Sequence, residues 1–316
     1  MPLRGLIQVV ATNLELLHGF PNHLEICMDA RSSLCLMTGN RDFQDKTGVD
    51  EKMIYTHGYH DSVLRSHRNR TVENSARYMQ DRIIPGKNLL DIGSGAGTIT
   101  ADFARRLAPG RVTAVEITAS ALELTRAEVE RQHLDNVDFL VGDATTLDLP
   151  DNSFDIVHAH QVLQHVSNPV QALREMKRVC KPDGIVAVRD SDYGGFIWYP
   201  MIFALDLWMK YYQDVARNNG GEPDAGRHLL SWAQQAGFTE IVSTSSTWCL
   251  STPDSRAWWG NMWADRILKS AIADQLRNGG IATEQDLERI SRAWLAWAAR
   301  EDGWMSIVHG EIVCRP

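Results

Sequence analysis

Short apolar runs alternate with helix-period stretches through the middle of this chain, and that alternation dominates its pattern. Asn88–Ile92 predicts a strand, and Ile99-Thr-Ala-Asp-Phe103 then opens a helix reaching about Leu107. Arg111–Glu116 predicts a second strand and Ala119–Gln132 a helix. Val137–Val141 and Phe154–His160 follow as third and fourth strands, and Ile185–Arg189 as a fifth. Between the last two, Val170, Leu173, Met176 and Val179 share one helical face. Ala108-Pro-Gly110, Pro150-Asp-Asn-Ser153 and Lys181-Pro-Asp-Gly184 supply the breaks. Strands and helices of this length in alternation imply right-handed βαβ units, hence a parallel sheet covered on both faces. The expected fold class is α/β, doubly wound.

The flanks differ. Val72, Ala76, Met79 and Ile83 fall at helical spacing, and Pro85-Gly86 ends that helix. All ten tryptophans lie from Trp198 onward. Gly194 to about Gly221 reads as helical, as does His228–Ala236, whereas Thr239–Trp248 is β-branched and strand-like. Thr252-Pro253 has the cap and first-turn proline of a helix start, followed by Trp259, Met262, Trp263 and Ile267 at helical spacing. Thr283-Glu-Gln-Asp286 resembles a capping box, with Leu287, Ile290, Trp294 and Trp297 behind it on one face. Met305–Cys314 predicts a final strand. Residues 1–50 are the least legible: Leu14, Leu16, Leu17, Phe20 and Leu24 suggest a short helix and no chemistry. The organisation expected is an extension over 1–50, a core over 51–250 with a helical insertion at 194–225, and a helical cap with the last strand over 251–316.

With 316 residues, 44% hydrophobic and 23% charged, the composition is that of a globular protein. A formal charge of −8 and the lack of a basic run argue against nucleic acid as a partner. No apolar run approaches the roughly 18 residues a membrane helix needs. The N-terminal apolar stretch is broken by Gln8, Asn13 and Glu15, which does not suit a signal peptide, so a cytoplasmic location is expected. Cys27, Cys35, Cys180, Cys249 and Cys314 are odd in number and lack C-x-x-C spacing, which argues against a disulfide framework or a metal site.

The chemistry centres on Leu89-Leu-Asp-Ile-Gly-Ser-Gly-Ala-Gly-Thr98. Glycines at 93, 95 and 97 let a ligand approach the backbone, and Asp91 precedes them where it could meet a cation. A dinucleotide fingerprint would place its third glycine at Thr98, so a nicotinamide dehydrogenase is disfavoured. Ligands on such sheets sit beyond the carboxyl ends of the strands. The residues there are polar: Asp91, Glu116, Asp143, His160-Gln161 and Asp190-Ser-Asp-Tyr193.

Together these motifs resemble a class I S-adenosylmethionine-dependent methyltransferase of the small-molecule, ubiquinone/menaquinone-type group, over about residues 50–250 and the closing strand. Val115-Glu116 is similar to that group's second strand end and Val141-Gly-Asp-Ala144 to its third. Leu163-Gln-His-Val166 and Leu173–Gly184 resemble its later block, with Cys180 and Asp183 in place of the commoner leucine and glycine. The resemblance implies a mostly parallel seven-stranded sheet with S-adenosyl-L-methionine as cofactor. It implies Gly93 and Gly95 against the methionine and ribose, Asp91 toward the ammonium, and Glu116 on both ribose hydroxyls. It further implies Ile117 on the adenine face, Gly142, Asp143 and the Ala144 N–H at the adenine edge, and His160 and Gln161 at the methionine end.

The acceptor is expected to be a small aromatic or apolar molecule. Candidate catalytic groups are His165, Asp192 and Tyr193 after the fourth and fifth strands, together with His57 and His60 ahead of the sheet. His165 also suits a purely structural hydrogen-bonding role. Tyr55, His57 and His60 belong to a His- and Tyr-dense stretch that reads either as a lid, with Tyr55 reaching the cofactor, or as a solvated helix start. The aromatics near the end read either as core or, through Trp198, Tyr199, Trp258 and Trp259, as an acceptor cap, a surface that would also serve a homodimer. Arsenite methylation would need converging cysteines, and a cofactor-binding relative without methyl transfer is a further alternative.

Overall fold

Every residue of Leu89-Leu-Asp-Ile92 is buried, as a strand covered on both faces requires. This strand, β1, is the centre of the fold in a computed structural model that describes residues 69–316. The expectations for residues 1–50 and for Tyr55, His57 and His60 lie outside the described residues. Parallel partners flank β1: β2 (Val112–Glu116) and β4 (Phe154–His160), with β3 (Val137–Val141) beyond β2 and β5 (Cys180–Ser191) beyond β4. Strand β8 (Trp304–Arg315) runs antiparallel to β5, to β7 (Glu240–Leu250) and to β6 (Ile197–Tyr199).

Among the described residues the sheet therefore has eight strands, where seven were expected. The addition is β6, from a segment whose spacing reads as helix. Ile197, Trp198 and Tyr199 are strong strand formers, and they pair with Ser306, Met305 and Trp304, a partner that local periodicity does not reveal. The insertion becomes helical only at α5 (Phe203–Asn218). The helix expected from Val72 to Ile83 is likewise shortened to one α-turn, α1 (Val72–Ser75), followed by a 3-10 segment (Arg77–Arg82).

Successive strand residues face opposite sides, and two cores result. Leu89, Val112, Ala114 and Ile156 pack with α1, α2 (Thr98–Leu107) and α3 (Ala119–Arg131). Leu90, Val115, Val157 and Val186 pack with α4 (Pro169–Val179) and α6 (Ala225–Gln235). The third core is helical: α5 with α7 (Pro253–Lys269), α8 (Ala271–Asn278) and α9 (Glu284–Ala298), lying against the start of β8. Trp208, Trp263, Trp294 and Trp297 are fully buried there, with edge-to-face rings. Thr283 forms the capping box expected of α9, and Thr252, expected as the cap of α7, forms a capping box with Ser255 as well. Among the described residues no helix is long and apolar enough to cross a membrane.

Candidate active site

The glycine turn takes its shape from three residues in left-handed backbone: Gly93, Gly95 and Gly97 have φ of 71°, 58° and 78°. A side chain at Gly93 would also collide with Val162, whose Cγ2 would lie 2.4 Å from the added Cβ. The turn is tied to the end of β2, where Gly93 N–H donates to the Val115 carbonyl at 2.9 Å and Gly95 N–H to Glu116 Oε1 at 2.6 Å. Glu116 Oε2 accepts from the Ile117 N–H at 3.3 Å. Burial raises the Glu116 carboxyl above the usual range, against the lowering effect of those two N–H groups.

Asp91, the third of the four residues of β1, lies in the same wall. Its carboxylate accepts from His158 Nδ1 at 2.8 Å and from Thr100 Oγ1 at 2.6 Å, leaving further lone-pair directions of the usual four. From this turn a cavity of about 1570 Å³, counted out to its open mouth, extends over the carboxyl ends of the strands. Asp91, Gly93, Gly95, Glu116, Ile117, Gly142, Ala144, His160, Gln161, His165 and Tyr193 all line it. Residues far apart in the chain are thus brought together where a doubly wound sheet holds its ligands.

Two expected residues are placed elsewhere. Asp143 does not line the cavity, and its carboxylate caps its own turn, accepting from Thr145 N–H at 2.7 Å and Thr145 Oγ1 at 2.8 Å. Asp192 does not line it either: Arg227 grips its carboxylate with two donors, one through Nε at 2.7 Å. With both carboxylate oxygens taken by Arg227, this geometry gives Asp192 a structural occupation.

His160, at the end of β4, is 5% exposed, and neither ring nitrogen has a hydrogen-bond partner among the described residues. Burial first, and then Arg70, holds it well below the usual histidine value, so it is neutral at pH 7. His165 is pulled down to about 4, by burial and then by Arg70; Gln164 Nε2 donates to its Nε2 at 3.0 Å. Gln161 sits in left-handed backbone with φ of 55°. Its amide bridges Arg70, which donates to Oε1, and His309 Nε2 at 3.0 Å. Burial pushes Asp190 up to about 7, against the N–H of Gln164, which donates to Oδ1 at 3.2 Å.

Ser191, within the Asp190–Tyr193 strand end, lines the cavity as well; Arg70, Gln164, Phe196, Trp248, Arg266 and Ile307 also line it, and the sequence reading missed them. Arg266 left one signal: a charge inside the apolar stripe of α7, between Trp263 and Ile267. Of the expected aromatic cap, Trp259 lines the cavity, Trp198 and Trp258 pack against the helical core, and Tyr199 is exposed. Among the described residues Cys180 and Cys314 are buried, Cys249 is exposed, and no group of three His, Cys, Asp or Glu side chains is placed to hold a metal ion.

The cavity fits an adenosyl sulfonium ligand in its donor set. Glu116 offers a half-buried carboxylate for a diol, Asp91 a carboxylate for an ammonium, and Ile117, Leu124 and Ala144 an apolar margin. The methyltransferase domain family matches residues 83–245, just over half of the chain. An uncharacterized methyltransferase of Schizosaccharomyces pombe is 34% identical over 274 residues, spanning 83% of this chain and 96% of the relative. A probable methyltransferase of Aspergillus luteorubrus is 28% identical, spanning 82% and 96%. The solved phosphoethanolamine N-methyltransferase 2 of Haemonchus contortus shares the fold at a TM-score of 0.50 and 18% identity, over 76% of this chain and 52% of that one. The chain belongs to the methyltransferase domain family and is a class I, S-adenosylmethionine-dependent methyltransferase.

Proposed function

We propose that this enzyme methylates a small aromatic or largely apolar acceptor, with the cofactor at the glycine end of the cavity and the acceptor at its aromatic end. One observation carries the reading: a single cavity is lined by Asp91, Gly95 and Glu116 at one end and by Tyr193, Phe196 and Trp259 at the other. When bound, S-adenosylmethionine supplies a methyl group already activated by the sulfonium. Glu116 accepts from the ribose hydroxyls, Asp91 faces the ammonium, Ile117 covers the adenine, and the Gly142–Ala144 backbone meets its edge. The backbone at His160 and Gln161 borders the methionine end.

The chain then has to align an acceptor atom and keep water away. Tyr193 suits the first task, because it is fixed between neighbours: its ring stacks on Tyr212 at 3.9 Å and on Phe196 at 4.5 Å. Where the acceptor atom is an O–H or N–H, a neutral histidine can take the proton as transfer proceeds. His160, with both nitrogens unpartnered among the described residues, and His165, lowered to about 4, are the two candidates. The scattered free cysteines support a reducing, cytosolic setting.

Transfer of labelled methyl from S-adenosylmethionine to a metabolite panel tests the reading. Product with an aromatic member, lost in Glu116→Ala and slowed in His160→Gln or His165→Gln, is expected. Tight cofactor binding with no product from any panel member would refute it.

A further inference from the structure

A histidine stands inside the sheet where packing alone would favour an apolar ring. His158 on β4 is fully buried, and the parallel register sets it directly opposite Asp91 of β1, so the two side chains share one face. Its Nδ1–H donates to Asp91 Oδ1 at 2.8 Å. A carboxylate only accepts, which places the ring hydrogen on Nδ1. The imidazole packs edge-on against Phe103, with ring centroids 4.9 Å apart. Its other nitrogen, Nε2, has no hydrogen-bond partner among the described residues. A buried nitrogen without a partner costs free energy, so phenylalanine would serve better if this ring only filled space. What the imidazole adds is the bond to Asp91.

Helix α2 holds the carboxylate from its other oxygen. Thr100 Oγ1 donates to Asp91 Oδ2 at 2.6 Å, and Thr100 is itself fully buried. Each oxygen thus carries one donor, and turning the carboxylate plane would break both bonds. One lone-pair direction of the usual two stays open on each oxygen. Asp91 lines the cavity, whereas His158 does not. Thr100 and Phe103 lie about one turn apart on the helix that follows the glycine turn, so the segment that cradles the ligand also seats this pair.

Resting on the reading of Asp91 as partner of the cofactor's ammonium, we infer that His158 is a positioning residue for that contact. It does not touch the cofactor; it aims the carboxylate that does. Asp91 is only 3% exposed, so protein donors rather than bulk water set the direction of its free lone pairs. The amino-acid end of the cofactor therefore depends on His158, and the adenosine end does not.

Calorimetry on the full-length protein tests this with S-adenosylhomocysteine and 5′-methylthioadenosine, which share adenosine but not the ammonium. His158→Phe keeps a ring against Phe103 and removes the donor. It should weaken S-adenosylhomocysteine about 10-fold and leave 5′-methylthioadenosine within about twofold. His158→Asn, whose amide N–H stands close to the place of Nδ1–H, should restore part of the loss. In an Asp91→Asn background His158→Phe should weaken S-adenosylhomocysteine no further, because it acts through that carboxylate. An equal loss for both probes, or a loss for neither, overturns the inference. Nitrogen NMR of the wild-type complex with S-adenosylhomocysteine should find a hydrogen on Nδ1 of His158; its absence overturns the inference even if no variant folds. Asp91→Asn that binds S-adenosylhomocysteine as the wild type does refutes the ammonium contact, and the inference falls with it. A loss in Asp91→Asn with none in His158→Phe refutes the positioning role alone.

Discussion

Replacing Glu116 by glutamine isolates the contact that ties cofactor binding to the end of β2. Both carboxylate oxygens already take one backbone N–H, from Gly95 at 2.6 Å and Ile117 at 3.3 Å. An ionised carboxylate offers about four lone-pair sites, so two remain for the ribose hydroxyls. Glutamine removes the charge and turns one oxygen into a donor that faces an N–H group. Hydrogen bonds to a charged partner are worth about 1.5–3 kcal/mol each. Loss of one such bond predicts a roughly 10- to 150-fold higher Kd for S-adenosylmethionine. The pH dependence carries an independent signature. Burial holds the free Glu116 carboxyl above its ordinary value, whereas the ribose hydroxyls donate to the ionised form. Wild-type affinity therefore climbs as pH rises through that elevated pKa, with release of a proton, and Glu116→Gln loses this climb. Calorimetry in buffers of different ionisation enthalpy measures both effects, and circular dichroism confirms that the variant is folded. A Kd within threefold of wild type, with the pH dependence intact, would refute the placement of Glu116 on the ribose.

Other outcomes follow from the same geometry. Gly97→Ala puts a Cβ 2.7 Å from the Thr125 backbone at a φ of 78°; strain and overlap of about 2–4 kcal/mol should lower Tm by several degrees. Trp208→Ala empties a site between Trp263 and Trp294 and should cost about 3–5 kcal/mol in urea unfolding. Asp192→Asn breaks the Arg227 pair; lower thermal stability with an unchanged S-adenosylmethionine Kd is expected, and the reverse pattern would return Asp192 to the binding site. Asp190, raised to about 7 by burial, keeps its proton in the folded state over pH 4–7 while the unfolded chain has lost it. Stability therefore falls as pH rises through that window, and Asp190→Asn should flatten the fall in urea titrations at several pH values.

Much of this site was legible because its parts are local. A strand, a glycine turn and a helix within Leu89–Leu107 declare a close-approach loop by themselves, and regular alternation places Glu116 and His160 at strand ends. The aromatic end was less legible because it is assembled from distant elements. Trp248 on β7, Arg266 on α7 and Ile307 on β8 meet only through the pairing of β7 with β8 and the packing of α7. Asp192 shows the converse limit. Its position after a strand matches a functional residue, yet Arg227, supplied by α6, decides what its carboxylate does. Ile197–Tyr199 fails for the same reason, since its partner strand lies near the end of the chain.

A crystal structure of the protein with S-adenosylhomocysteine tests the central claim most directly. The ribose should lie on Glu116, the adenine beside Ile117 and Ala144, and the sulfur should point toward Tyr193 and the histidines. Density for the ligand outside this cavity, or in it with the ribose away from Glu116, would contradict the account.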